Sequence, residues 1–303
     1  MKNIPFVQTA VFFDKRYDFG GNQLATFWNA DSNSSLSNEE MLGITREMNY
    51  SESTFVFQSK KVGCSAKVRI FTLGREIPFA GHPTLGTAFV LQRKKVIDAK
   101  VNKLRLELGL GPIEVEFLAK DLIRMQQKSP EYLEELNNPK QLLKALGLGE
   151  KTLSEDVPVQ FVSTGNPFLI VPLKSLASVQ KADPNGKEII KALDGAISQD
   201  VLIFSTETIH SDSDAHARVF APAFGVLEDP ATGSAIGPLG AYLEHHDIIH
   251  THTHGEVFTI EQGYEMNRPS KLKVQLEKRK QKENVLVSGR VRATAEGNFY
   301  LKT

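Results

Sequence analysis

One uncharged stretch constrains the fold of this chain more than any other feature. Residues Ala235 to Leu243 are small or apolar and carry no charge. A helix that is apolar on every side must be surrounded by protein, so the stretch predicts the buried central helix of a domain. The preceding residues, Glu228 to Ser234, include types that accept bonds from free N–H groups at a helix start. We therefore expect the chemistry at this helix start.

A proline complicates this prediction. Pro238 lies inside the predicted helix, where a proline costs roughly 3 kcal/mol because it lacks an N–H group and clashes with the preceding turn. We therefore expect either a bend at this residue or a later helix start.

A second stretch resembles the first. Gly81 to Ala88 matches Asp229 to Ala235, and each stretch follows an Arg-x-Phe pattern, at Arg69 and at Arg218. A match of this kind, with the same order of motifs, is typical of a diverged tandem repeat. In a chain of 303 residues, such a repeat predicts two domains.

The predicted elements define an α+β fold. Each half contains many short strand patterns and one apolar helix, and a flat sheet would leave such a helix half exposed. Each half is therefore predicted to be a curled, mostly antiparallel sheet, a half-barrel, around its central helix. The domains are predicted at residues 1–125 and 126–303, with a cleft between them and a terminal strand that can cross back to the first.

Local signals place several of the other elements. Ser37 and Glu40 form a capping-box pattern that opens a helix extending to about Asn49. Val285 to Val287 and Val291 to Ala295 are predicted as separate strands.

Composition excludes several classes of partner. Acidic and basic residues balance to a net charge of +0, with a sequence pI near 7.1, so no long-range field favours nucleic acid or an anionic membrane. The single cysteine, Cys64, excludes an intramolecular disulfide and a zinc site of several thiolates. Met1 to Pro5 lacks a secretory pattern, and no long apolar run occurs, so we expect a cytoplasmic protein.

Five blocks of sequence, in order along nearly the whole chain, resemble the PhzF family of phenazine-biosynthesis-like isomerases. The blocks are Gly21-Asn22, Ser51 to Val56, Arg69 to Thr72, Glu76 to Ala88 and Glu228 to Ala235. The resemblance implies the two-domain fold of diaminopimelate epimerase and proline racemase, which agrees with the architecture expected above. It also implies a cofactor-free enzyme and is compatible with a homodimer.

Glu52 is the candidate for proton transfer. It stands among small hydroxyl residues directly before an apolar strand, and the residues alone fit equally a solvated glutamate at a strand edge. The resemblance implies that Glu52 is the general acid/base, which moves a proton between two carbons on one face of the substrate.

His82 and Asp229 each precede a proline where a central helix is expected to open. From the residues alone, both are best explained as caps that fix the turn. The resemblance implies that both also line the substrate pocket and are needed for turnover.

Four further residues are implied in substrate binding. Ser234 and the backbone of Gly81 and Gly233 would donate hydrogen bonds to an anionic substrate group, and Asn22 belongs to a matching motif. Simple packing of a small residue is the alternative for Ser234.

The chain departs from the family pattern at a few positions. Gln23 and Leu73 stand where proline is usual, and Asn267 stands where glycine is commoner. The expected helix starts carry no cysteine, so a racemase with two opposed thiols is excluded. These departures concern substrate fit more than acid/base chemistry.

Five histidines crowd into one short segment, at positions His245, His246, His250, His252 and His254. The last three alternate and would share one face of a strand, a spacing that can bind a divalent metal. We favour an exposed linker without a metal, because no His-Glu-x-x-His motif accompanies the segment.

These observations predict a cofactor-free isomerase that moves a proton and a double bond on a small carboxylic acid, with Glu52 acting in the interdomain cleft. An epimerase with bases other than thiols and a non-catalytic small-molecule-binding relative are the alternatives. A metal-dependent hydrolase would depend on the histidine segment.

Overall fold

The structure is a computed structural model that describes residues 1–250, 253–279 and 282–302. The chain divides into two compact units. The first unit comprises Met1–Gln126 with Ser288–Thr303, and the second comprises Gln127–Val287.

In chain order, helices α1 to α7 are Ala30–Asn33, Asn38–Met48, Gly81–Arg93, Lys140–Ala145, Leu176–Lys181, Gly186–Ala192 and Gly233–His245. Strands β1 to β17 are Lys2–Val11, Asn22–Phe27, Glu52–Phe57, Ala66–Thr72, Glu76–Ile77, Lys103–Leu108, Gly111–Phe117, Leu122–Gln127, Glu131–Glu135, Gln160–Ser163, Pro167–Pro172, Val201–Ser205, Ala215–Ala221, Val226–Asp229, Val257–Gln262, Ser270–Arg279 and Lys282–Leu301.

The first unit is a mostly antiparallel sheet that closes on itself. β1 pairs antiparallel with β2, β2 runs parallel to β3, β3 pairs antiparallel with β4, and β4 runs parallel to β6. β6, β7 and β8 continue as an antiparallel meander. The final strand β17 pairs with β1 and also with β8, where Val291 donates to the carbonyl of Asp121 at 2.8 Å.

Helix α3 lies in this sheet, against β1, β2, β3, β6 and β7. Most of its residues are buried, as the absence of charge predicts. Gly86 permits the close approach of the helix, because a Cβ atom there would lie 2.6 Å from Cδ2 of Leu24. The stacked rings of Phe27 and Phe55, 4.7 Å apart, belong to a separate cluster that also holds Met41 of α2.

The second unit follows the same pairing order. β9, β10 and β11 pair antiparallel, β11 runs parallel to β12, β12 pairs antiparallel with β13, β13 runs parallel to β15, and β15 pairs antiparallel with β16. Helix α7 packs on β10, β11 and β16. Gly240 faces Val274, whose Cγ atoms would lie 2.5 Å from an added Cβ. The repeated motifs predict related strand orders, and these pairings agree.

Several local predictions can be compared with the structure. The capping box is confirmed, because Ser37 accepts from the N–H of Glu40 and the Glu40 side chain accepts from the N–H of Ser37. The expectation of a later start at Pro238 is wrong, because α7 begins at Gly233 and continues through the proline. The two strands predicted near the end of the chain are one strand, β17.

Within the described ranges, every helix is too short or too polar to cross a membrane.

Candidate active site

The start of α3 has no side-chain cap. Ala80 is the N-cap residue, in extended conformation, and makes no capping hydrogen bond through its side chain. Gly81 and His82 occupy the first two helical positions, where N–H groups have no partner within the helix. The hydroxyl of Thr84 turns back to donate to the carbonyl of Ala80 at 2.7 Å. The start of α3 therefore presents backbone donors and a partial positive charge.

His82 is a buried and neutral imidazole. Burial lowers its pKa to about 3, although a hydrogen bond to the backbone of Gln23 opposes this shift. Because that bond favours the charged form, the ring is its donor. The Nε2 atom makes no hydrogen bond to any residue that the structure describes, so the donating nitrogen is Nδ1. At neutral pH, Nε2 is therefore an unprotonated acceptor.

The carboxylate of Glu52 lies next to this nitrogen. Oε2 of Glu52 is 3.5 Å from Nε2 of His82, and the two side chains are 16% and 5% exposed. Glu52 is the first residue of β3 and pairs with Leu24 and Thr72, so strands on both sides fix its backbone. The structure thus brings together two of the predicted catalytic residues, as a nearly buried carboxylate beside a neutral imidazole.

Asn22 occupies the first position of β2 and is buried. Its side-chain oxygen accepts a hydrogen bond from the hydroxyl of Ser51, the residue before Glu52, at 3.3 Å. The preceding Gly21 has a φ of +71°, and a Cβ there would lie 2.7 Å from the carbonyl oxygen of Val11. Only glycine fits this turn, which sets Asn22 at the start of its strand.

A chain of buried hydroxyl groups fixes α3 on the strand of Glu52. Thr87 donates to the hydroxyl of Thr54 at 2.8 Å, and Thr54 donates to the hydroxyl of Thr26 at 3.1 Å. These hydroxyl bonds were not predicted from the sequence, although Thr84 and Thr87 are polar residues within the buried part of α3. The geometry of these bonds couples the position of His82 to that of Glu52.

The start of α7 differs from the start of α3. Asp229 is the last residue of β14, and α7 begins at Gly233 with Thr232 as its N-cap residue. The expectation that Asp229 opens a helix is therefore wrong. Its position before Pro230 favours an extended backbone, which explains why the strand reaches this residue.

The Asp229 side chain is buried and accepts a hydrogen bond from the hydroxyl of Thr232 at 2.5 Å. Gln262, at the end of β15, holds the same turn. It donates to the carbonyl of Asp229 at 2.6 Å and accepts from the N–H of Thr232 at 3.0 Å. Sequence reasoning missed Gln262, and a fully buried glutamine at a strand end gives no pattern by which to find it.

Gly233 and Ser234 are the first two residues of α7. Ser234 is partly exposed, unlike the residues on either side of it. Gln127 stabilises this turn through two hydrogen bonds. It donates to the carbonyl of Gly233 at 2.9 Å and accepts from the hydroxyl of Thr164 at 2.6 Å. Gln127 was also missed by the sequence analysis.

Behind the turn that follows Gln262 lies a buried charge cluster. The ring nitrogens of His216 contact Glu261 at 3.1 Å and Glu265 at 3.0 Å. Burial alone would lower the pKa of His216, but these two hydrogen bonds outweigh it and raise the pKa above its usual value. His216 therefore clamps Glu265, in the turn after β15, to the end of that strand.

The favoured interpretation of the histidine segment, an exposed linker, agrees with the structure at His250 and His254, which are both exposed. His250 and His254 lie in turns rather than on a strand, and His252 lies outside the described residues. Among the residues that the structure describes, one group of three side chains could hold a metal ion, namely Glu244, His254 and Glu283. The single cysteine, Cys64, lies between β3 and β4 and not at a helix start, so it is not placed where a racemase with two opposed thiols would need it.

Known proteins resemble this chain over nearly its whole length. The family described as phenazine biosynthesis-like protein, PhzC-PhzF, matches residues 10–297. The trans-2,3-dihydro-3-hydroxyanthranilate isomerase of Pseudomonas aeruginosa is 37% identical over 93% of this chain and 94% of its own. The uncharacterised isomerase YfhB of Bacillus subtilis is 34% identical over 78% of this chain and 80% of its own.

Solved structures agree with these relatives. The crystal structure of the Bacillus anthracis phenazine biosynthesis protein of the PhzF family has a TM-score of 0.90 at 26% identity, over 99% of this chain and 100% of that one. A probable proline racemase from Agrobacterium radiobacter has a TM-score of 0.66 at 11% identity, over 99% of this chain and 93% of that one, and so shares the fold alone.

These likenesses define the class of protein first. The chain is an isomerase whose fold is shared with proline-racemase-like epimerases. It belongs to the phenazine biosynthesis-like (PhzF) family. The resemblance inferred from the sequence motifs is thereby confirmed.

Proposed function

We propose that this chain is a cofactor-free isomerase that moves a proton and a double bond on a small carboxylic acid, with Glu52 as the general acid/base. The observation that supports this proposal best is the 3.5 Å approach of the Glu52 carboxylate to the neutral Nε2 of His82. A carboxylate that is nearly buried and lies beside a neutral imidazole can take and return a proton.

In the proposed reaction, Glu52 takes a proton from a carbon next to a conjugated system. The electrons of that C–H bond enter the π system, the double bond shifts, and Glu52 returns the proton to another carbon on the same face. Substrate and product are isomers, so nothing is oxidised or reduced. While Glu52 carries the proton, its O–H group can donate to Nε2 of His82, which burial keeps unprotonated.

The helix starts are proposed to bind the acid group of the substrate. Free N–H groups and the helix dipole make the start of α3, at Gly81 and His82, attractive to a carboxylate. We propose Asn22 as a further binding residue, because it lies beside the strand start that carries Glu52.

In the second unit, we propose that Gly233 and Ser234 bind substrate and that Asp229 takes part in turnover. The Asp229 carboxylate is buried and held by the Thr232 hydroxyl, which suits a group that contacts an amino or hydroxyl substituent.

The substrate class proposed is a cyclic carboxylic acid that bears an amino or hydroxyl group. Three of the similar proteins are named trans-2,3-dihydro-3-hydroxyanthranilate isomerases, so that compound is the first to test. The experiment is incubation of the purified protein with this acid, and with other cyclic amino and hydroxy acids, in deuterated water. Nuclear magnetic resonance would then detect deuterium at a substrate carbon.

The variant Glu52→Gln tests the role of the carboxylate. We expect it to fold normally and to lose about 10² to 10⁴-fold of the isomerisation rate, which is typical when a general acid/base is removed. Glu47→Gln, in α2, is the matched control, because Glu47 is an exposed glutamate in the same unit. Wild-type exchange by the Glu52 variant would refute the mechanism.

A further inference from the structure

Five histidines near the end of α7 are not used by the proposed reaction. Four of them, His245, His246, His250 and His254, lie in different environments, and His252 lies outside the described residues. The ring of His245 stacks on Tyr132, with centroids 4.1 Å apart. Nε2 of His246 lies 3.0 Å from the side-chain oxygen of Gln160. His250 is exposed and pairs with Asp247 at 3.2 Å. Each of these three rings thus has a local partner.

His254 is different, because it meets two carboxylates, one from the end of α7 and one from β17. One ligand atom from each of Glu244, His254 and Glu283 lies within 4.8 Å of the other two. Nδ1 of His254 is in direct contact with Oε1 of Glu244. Glu244 is in the last turn of α7, His254 is in the turn before β15, and Glu283 is near the start of β17.

We propose that Glu244, His254 and Glu283 bind a divalent transition-metal ion of the zinc type. One imidazole nitrogen and two carboxylate oxygens are ligands that Zn²⁺ accepts, at distances of about 2.0 to 2.2 Å. Ligands at that distance are at most about 4.2 Å apart, so the three side chains need only a small rotation to close on an ion. Water would complete the coordination.

An independent observation concerns the second oxygen of Glu244. Oε2 of this side chain is buried and has no hydrogen-bond donor among the residues that the structure describes. The Glu244 side chain is 19% exposed. A buried carboxylate oxygen without a donor is costly to maintain, and coordination to a cation would satisfy it.

The local backbone also favours a cation at this place. Glu244 lies in the last turn of α7, at the negative end of the helix dipole. The turn that carries His254 is already ordered by the surrounding protein. Gln275 donates to the carbonyl of Gly255 at 2.8 Å, and the N–H of Glu256 donates to the carbonyl of Thr253 at 3.1 Å. Metal binding would therefore require little further ordering of the chain.

The imidazole ligand selects the class of metal. Ca²⁺ and Mg²⁺ prefer all-oxygen coordination, whereas zinc, cobalt, nickel and copper accept imidazole readily. The role of the ion would be structural, since it would join the end of α7 to the turn before β15 and to the start of β17. The proposal is independent of the acid/base chemistry assigned to Glu52.

The test is a titration of the tag-free protein with Zn²⁺ and with Co²⁺, after treatment with a chelator. We expect one equivalent of metal to bind, the melting temperature to rise, and Co²⁺ to develop the visible absorption of a site with nitrogen and oxygen ligands. His254→Ala and Glu283→Gln should weaken binding by more than about 100-fold, because loss of an outer partner alone costs about 10 to 100-fold.

His250→Ala is the matched control, since His250 belongs to the same segment but lies outside the three-residue group. We expect it to bind metal as the wild type does. Glu244→Gln preserves the shape of the side chain, and circular dichroism in the absence of metal would verify its fold. Wild-type binding no tighter than that of His254→Ala, or equal losses in His250→Ala, would overturn the proposal.

Discussion

At the scale of single residues, burial decides which protonation state each isolated titratable group holds. Burial lowers the pKa of His82 to about 3 and raises the pKa of Asp200 to about 7. Both shifts favour the neutral form. For His82, the neutral ring is the property that the proposed chemistry uses. For Asp200, which precedes β12 and has a buried side-chain oxygen without a described donor, it is a cost to folding.

The pH dependence expected from Asp200 follows from the sign of its shift. Its pKa is about 7 in the folded protein and near 3.8 in a model peptide. Between these values the folded state binds more protons than the unfolded state, so the contribution of Asp200 is lost as pH rises from about 4 to about 7. Removal of the charge should therefore stabilise the protein most at alkaline pH.

We predict that Asp200→Asn increases the free energy of unfolding at pH 8 by more than about 1 kcal/mol, since one pKa unit corresponds to about 1.4 kcal/mol. At pH 4 the variant and the wild type should be nearly equal. Urea unfolding at the two pH values is the measurement. Asp194→Asn, at an exposed aspartate of the same unit, should change neither value. An equal gain at both pH values would contradict the argument.

At the scale of elements, patterns that depend on neighbours in sequence could be predicted, and those that depend on tertiary partners could not. The capping box at Ser37 needs only residues three apart, and it was found. The continuity of β17 depends on Gly289, where an added Cβ would lie 2.2 Å from the ring of Phe12. Because Gly289 and Phe12 are far apart in sequence, the local sequence pattern predicted two separate strands on either side of this glycine.

The candidate site divides in the same way. Glu52 and His82 were found because family motifs carry them, and the structure brings them together. The prediction that Asp229 opens a helix was wrong, because Asp229 is the last residue of β14 and α7 begins at Gly233. Gln127 and Gln262 were missed because their roles exist only through hydrogen bonds to the turn before α7 and its first residue.

Helix α7 supplies a prediction at this scale, through Gly237. A Cβ at Gly237 would lie 1.8 Å from Oε1 of Gln127, which is already bonded to Thr164. We predict that Gly237→Ala destabilises the protein by about 1 to 3 kcal/mol, as is typical of overpacking, although alanine is the better helix former. Thermal and urea unfolding are the measurements.

The control for Gly237 is a glycine with free space. Gly43, in α2, has no atom within 4 Å of an added Cβ. Gly43→Ala should be neutral or stabilising by up to about 1 kcal/mol. Gly237→Ala combined with Gln127→Ala should recover part of the loss, because the obstructing side chain is then absent. Equal effects of the two single substitutions would show that helix propensity, not the contact with Gln127, decides the outcome.

At the scale of the whole molecule, the repeat in the sequence reappears as a repeated pairing order. In each unit an antiparallel pair leads into a parallel pair. A helix that is apolar on nearly all sides follows β5 in the first unit and β14 in the second. The last strand departs from this repetition. Residues 282–287 belong to the second unit, and Ser288–Thr303 belongs to the first, where Val291 to Leu301 of β17 pair with Lys2 to Val11 of β1. The last residues of the chain therefore supply one strand of the sheet in the first unit.

This dependence predicts the effect of a C-terminal truncation. Removal of residues 296–303 takes away the partners of Lys2 to Val7 in β1, which pair with Glu296 to Leu301. It also removes Phe299, whose ring packs edge-on against Phe27 at 6.3 Å. We predict a loss of about 2 to 4 kcal/mol in the free energy of unfolding, from buried apolar contacts, and self-association through the exposed edge of β1.

Urea unfolding and size-exclusion chromatography would measure the two effects of the truncation. Phe299→Ala should reproduce part of the loss in stability without exposing the strand edge, because it leaves the backbone pairing of β17 in place. Removal of only Lys302 and Thr303, which follow β17, should leave both measurements unchanged. If the longer truncation unfolds at the wild-type urea concentration, the last part of β17 does not contribute to the stability of the first unit. The closed sheet would then depend on the pairing of Val291 to Ala295 with β1 and on the contact of Val291 with Asp121.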